Sequence, residues 1–142
     1  LVTRDIGGLS DWSDSEETTK ELLLAWDKIK EMSEYGIDVQ SHTHTHLSLP
    51  KLDAQKIKEE ILTSKEIIEQ KLKKKVDFLC YPYGHFNSEV KEILKETGYQ
   101  GAVTIKRGVI KETDDPYYLK RIGIKRKHGL LAFIRYIEFK YR

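Results

Sequence analysis

An α/β fold built on parallel strands is predicted for this chain, from three observations. Short apolar runs that read as strands alternate with longer amphipathic runs that read as helices. The stretch between successive strand-like runs is long enough to hold a helix, which parallel pairing requires, and such crossovers turn one way. The two most distinctive stretches of the chain both follow strand-like runs, where folds of this class place their sites.

Each element has its own warrant. Leu1 to Ile6 reads as the tail of a strand, turned by Gly7-Gly8. Ser13 or Ser15 is a candidate N-cap, and a helix is expected from about Thr18 to Tyr35. Its apolar stripe is Leu22, Leu23, Trp26, Ile29, Met32 and Ser33, which assigns Trp26 and Met32 to core packing. Gly36 is the expected C-cap, and Gly36 to Gln40 reads as a short strand entering the core. Asp53 caps a long helix to about Lys73, with Ile57, Ile61, Ile68 and Leu72 as its buried side. Val76 to Tyr81 is a buried strand, stopped by Pro82. Asn87 or Ser88 caps a short helix to Thr97, which Gly98 ends. Tyr99 to Ile105 is a strand, 107–116 a loop, Tyr118 to Ile124 a last strand, and Leu130 to Phe139 a closing helix.

The chain has 142 residues, enough for one core, so 1–142 is read as one domain. Net charge is +2, which gives no basic field for nucleic acid, and the lysine-rich tracts read as solvated helix ends and loops. The single cysteine, Cys80, excludes an internal disulfide framework. No apolar run is long enough to cross a membrane. The sequence opens on Leu1 without a methionine, and the expectation is that it continues a longer protein whose targeting segment lies elsewhere.

The chemistry concentrates in Ser41-His42-Thr43-His44-Thr45-His46-Leu47, which holds three of the five histidines. Clustered imidazoles at a strand end suit zinc and its neighbours. Two spacings compete. On a turn of helix His42 and His46 would share a face, whereas on a continuing strand His42 and His44 would do so. Leu47, Leu49, Leu52 and Pro50 suggest that the chain leaves the sheet here, which favours the first pair. The second informative stretch is Phe78-Leu79-Cys80-Tyr81-Pro82-Tyr83-Gly84. There Pro82 ends a strand, Gly84 permits a sharp turn, and Tyr83 is left projecting.

Ser-His-Thr-x-x-His-x-x-Leu resembles the second motif of the polysaccharide deacetylases, the NodB-homology or family-four carbohydrate esterases. The Pro82-Tyr83 pair resembles the third, and the similarity continues through Glu92 to Thr104 and Tyr118 to Ile122. In all it runs from about Trp26 to Ile124. The resemblance implies a partial, irregular (β/α) barrel and a metal-dependent hydrolase that removes acetyl groups from an N-acetylated poly- or oligosaccharide of the cell wall or an exopolysaccharide. By the same resemblance His42 and His46 bind a divalent metal, most simply zinc, and the backbone N–H of Tyr83 helps to stabilise the oxyanion. Arg121 lines the substrate cleft or serves as a structural ion-pair residue. An extracellular or envelope-associated bacterial location follows from such substrates.

Three departures accompany the resemblance. Many members carry an arginine two residues before the motif's proline, and here that position is Cys80, read as a buried small hydrophobe. The family's last motif supplies a histidine after a leucine. Leu119-Lys120-Arg121 lacks it, leaving His128 as the remaining general-acid candidate and otherwise a surface residue. The Thr-Phe-Asp-Asp motif, which supplies a metal ligand and the catalytic base, is not found. Thr3-Arg4-Asp5 is only a superficial echo of it. Leu1 to Ile6 then aligns with the family's second strand, so the expected barrel lacks its first strand and exposes an edge open to a homodimer. His85 has no role in the resemblance. Two other readings remain: an amidohydrolase-type metallohydrolase using His42 and His44, and a non-catalytic domain of the same fold that binds glycan or a partner.

Overall fold

The computed structural model describes residues 1–10, 22–123 and 129–138. Ser13, Ser15 and His128 lie outside the described residues.

Three short strands form one parallel sheet in the order β1 (Phe78–Cys80), β2 (Gly101–Arg107), β3 (Leu119–Arg121). Phe78 is paired with Gly101, Cys80 with Val103, and Val103 with Leu119. The parallel pattern continues past β1, where Ser41 forms a parallel bridge with Leu79. Beyond it the first residues run alongside: the His42 N–H donates to Leu1 O at 2.8 Å and the Arg4 N–H to His44 O at 3.0 Å. The expected strand at Gly36 to Gln40 is thus reduced to one bridge at Ser41, and Leu1 to Ile6 is extended only before a turn that begins at Arg4.

The helices form where their caps and stripes direct them. In α1 (Trp26–Glu34) only Ile29 and Ser33 are buried. Leu22 to Ala25, read from its apolar residues as helix, is instead extended. The Leu23 N–H donates to Gly8 O, the Gly7 N–H to Leu24 O, and Leu22 bridges Leu9. Pairing with the Gly7-Gly8 turn satisfies this backbone and overrides the periodicity. Trp26 packs against the core, but Met32 is 39 % exposed, a correction to its expected role. Gly36 takes φ +95°, and the Ile37 N–H closes onto Met32 O at 3.0 Å, the glycine stop expected after a helix. The Asp53 carboxylate accepts from the Lys56 N–H at the start of α2 (Ala54–Leu72), and Asn87 accepts from Val90 at the start of α3 (Ser88–Glu96). A last helix, α4, spans Leu130–Glu138.

The core lies between the sheet and α2 and α3. Ile57, Ile61 and Ile68 meet Leu79, Tyr81, Val90, Leu94 and Ala102 there. The Tyr81 hydroxyl donates to Tyr117 O at 3.0 Å and the Tyr99 hydroxyl to Ile61 O at 3.0 Å, so neither buried phenol is left unsatisfied. This core fixes how α2 sits on the sheet, and α2 in turn supports the histidine loop. Leu79→Ala, at a fully buried position, is expected to lower the unfolding free energy by about 2–5 kcal/mol in urea denaturation.

Candidate functional site

The site lies at the carboxyl ends of the parallel strands. Ser41 is anchored from both sides, its N–H donating to Phe78 O and its carbonyl accepting from Cys80 N–H. The next residues do not form a helical turn, as the i, i+4 spacing had suggested. They form a loop with two residues in the left-handed region, Thr43 at φ 69° and His46 at φ 64°. Neither is a glycine, so side-chain bonds must hold the turn. The Thr43 hydroxyl, fully buried, accepts from the His46 N–H at 3.1 Å. Glu60 of α2, 2 % exposed, accepts from the N–H groups of His44 and Thr45 at 3.2 and 2.8 Å and from the Thr45 hydroxyl at 2.7 Å.

This loop brings His42 and His46 together. Their Nε2 atoms are 3.2 Å apart and the rings meet edge to face at 4.8 Å. His44 turns elsewhere, its Nδ1 2.9 Å from the Thr3 hydroxyl. The loop thus brings the first and third imidazoles together and leaves the second on Thr3.

His42 is oriented from behind. Its Nδ1 is 2.6 Å from the Cys80 carbonyl oxygen. A carbonyl can only accept, so Nδ1 carries the proton and Nε2 presents a lone pair. Burial, the largest influence, pushes the His42 pKa down to about 4, and the nearby charges of His46 and Arg121 add to this. His42 is therefore neutral near pH 7, the form that binds metal.

The pair can be tested for fit to a cation. Two imidazoles on one tetrahedral zinc, at the usual Zn–N length of about 2.0–2.1 Å, sit about 3.3 Å apart. The observed 3.2 Å matches. The backbone-oriented ring of His42 is also what a ligating histidine needs. Among the described residues no group of three His, Cys, Asp or Glu side chains converges. Asp5 is engaged by the Arg4 guanidinium at 2.8 Å.

The second stretch faces the first. Pro82 ends the ladder, and Tyr83 (φ 57°) and Gly84 (φ 72°) make a left-handed turn. A Cβ on Gly84 would come within 2.6 Å of the Ile105 side chain, so glycine is required there. The Tyr83 ring lies 4.7 Å from that of His46. Arg121 lines the same cavity as His42, of about 460 Å³, and its Nη1 reaches Cys80 Sγ at 3.8 Å. Among the described residues, Cys80 Sγ is its nearest recorded side-chain partner. Burial raises the Cys80 thiol pKa, which fits a packed thiol more than a nucleophile.

The family model for polysaccharide deacetylases matches residues 9–102. The chain belongs to the polysaccharide deacetylase family. YxkH of Bacillus subtilis (strain 168), named for the same family, is 32 % identical over 115 residues, which cover 81 % of this chain and 41 % of YxkH. A polysaccharide deacetylase from Bacillus cereus is 36 % identical at a TM-score of 0.70, covering 83 % of this chain and 38 % of its own. The Streptococcus pyogenes deacetylase PplD shares the fold at a TM-score of 0.75 and 24 % identity, over 82 % of this chain and 52 % of PplD. The chain thus spans about two fifths to one half of the length of these relatives, and its parallel strands and helices are part of the family's β/α barrel.

Glu60 is the residue that sequence reasoning missed. It sits in the stripe Ile57, Glu60, Ile61, Ser64, Ile68, and a carboxylate within a buried stripe signals a polar partner inside. Glu60→Ala is expected to cost about 2–4 kcal/mol, since it strands buried donors of the histidine loop. It is also expected to weaken zinc binding about tenfold or more in chelator competition. Glu59→Ala, at an exposed neighbouring position, is expected to do neither.

Proposed function

We propose that this domain removes acetyl groups from N-acetylated carbohydrate of the cell wall or an exopolysaccharide, with His42 and His46 holding a divalent cation, most simply zinc. One observation carries the reading: two imidazole Nε2 atoms at ligand spacing, one with its tautomer set by a backbone carbonyl, beside a tyrosine-bearing turn. Such a cation would supply Lewis-acid polarisation of the acetyl carbonyl and a more acidic water.

The chain's own residues take the other parts. His42 is held neutral by burial and keeps Nε2 available as a ligand. Tyr83, placed against His46 by a left-handed turn, offers its backbone N–H to the developing oxyanion. Arg121, on the cavity that His42 lines, binds the substrate beside the reacting group. A proton acceptor for the attacking water is also needed, as is a third ligand. The described residues bring no carboxylate to the pair, so the reading requires one from outside them. The protein works at or beyond the cell envelope on this reading, and a second copy can pair along the sheet edge. No described helix is long and apolar enough to cross a membrane.

A second reading, a glycan-binding domain without catalysis, is favoured by the lack of a third converging ligand among the described residues. Zinc titration with acetate assay separates the readings. His42→Ala and His46→Ala are each expected to weaken zinc binding at least 100-fold, and His44→Ala less than threefold. Acetate release from N-acetylglucosamine oligomers by the zinc-loaded protein supports the hydrolase. Oligomer binding without acetate release supports the second reading. Loss of zinc binding in His44→Ala with retention in His46→Ala overturns the assignment of His46 and favours the His42–His44 pair.

A further inference from the structure

His85 lies outside the roles given so far, yet it stands at the rim of the same site. Its Nδ1 is 3.1 Å from the Ser48 hydroxyl, a bond that joins the Pro82–Gly84 turn to the end of the histidine loop. The ring is 5.8 Å from that of Tyr83, which is 4.7 Å from that of His46. Two rings, Tyr83 and then His85, therefore follow His46 away from the candidate metal pair. His85 is exposed, unlike His42 and His46.

We propose that His85 is a substrate-binding residue. Ser48 holds Nδ1, so that Nε2, on the opposite edge of the ring, hydrogen-bonds a hydroxyl of the sugar unit next to the one being deacetylated. The proposal rests on the deacetylase reading for the identity of the ligand.

The chemistry suits a glycan. A sugar presents hydroxyl groups at its equator and C–H groups on its faces. The Tyr83 ring offers an apolar surface for such a face, and a histidine nitrogen can donate to or accept from a hydroxyl. Ordering by Ser48 lowers the entropy lost when the ring is engaged. A loop-to-loop tie would need only the Nδ1 edge, whereas a glycan contact needs the Nε2 edge.

That difference sets the test. Tetra-N-acetylchitotetraose binding to the zinc-loaded full chain is measured by calorimetry for the wild type, His85→Ala, His85→Asn and His85→Gln. Asn can reproduce the Nδ1 edge and Gln the Nε2 edge. The expected result is a five- to tenfold weaker Kd for Ala and for Asn, with Gln within about twofold of wild type and zinc affinity unchanged throughout. If the protein also releases acetate, KM should rise by the same factor while kcat stays within twofold. The rate on a small acetyl ester, too short to reach His85, should not change. Asn binding as well as wild type would reduce the residue to a loop tie and overturn the proposal, as would equal binding by Ala or no binding by the wild type. Binding that depends on His85 without any acetate release would uphold this contact while removing the hydrolase reading.

Discussion

A buried carboxylate holds the candidate site in shape. Glu60, on the core-facing side of α2, accepts three hydrogen bonds from the loop that carries the histidines. Two residues of that loop, Thr43 and His46, occupy the left-handed region, at a cost of order 1–2 kcal/mol each for residues with a Cβ. Three charge-assisted bonds, with the Thr43 hydroxyl on the His46 N–H, are of the right size to offset it. Packing of Ile57 and Ile61 against the sheet places the carboxylate. The spacing of the imidazoles therefore depends on a helix that contributes no ligand.

The same logic joins the two halves of the site. β1 contributes to both. Its backbone accepts the Ser41 N–H and donates to the Ser41 carbonyl, setting where the histidine loop begins. Its last carbonyl, on Cys80, orients His42, and the chain then turns at Pro82 to set Tyr83 against His46. A one-residue slip in the pairing of β1 would turn that carbonyl away and separate the rings. The spacing of the two imidazoles and the sheet register are thus linked through the bridged residues Ser41 and Leu79.

Much of this was legible in the sequence. The caps at Asp53 and Asn87 and the glycine stop at Gly36 work as their chemistry predicts. The His42–His46 pair was legible as a spacing, but not in its mechanism. An i, i+4 pair suggests a helical turn, and nothing about Thr43 or His46 announces positive φ. Glu60 was hidden for a different reason: a glutamate on a charged helix reads as solvated until the loop above it is known. Leu22 to Ala25 misled because apolar residues near an amphipathic helix extend its period, while their extended state depends on a partner turn some fifteen residues earlier. Met32 followed the same stripe to an exposed position. Local rules held where the partner was local and failed where it was distant.

The proposed site holds one cation on the Nε2 atoms of His42 and His46 and leaves His44 out. Histidine-ring ¹⁵N NMR of the protein with and without zinc reads this directly. Zinc is expected to move the Nε2 signals of His42 and His46 to the metal-bound position, to leave Nδ1 of His42 protonated, and to leave His44 unchanged. A zinc-induced shift on His44, or none on His46, would contradict it.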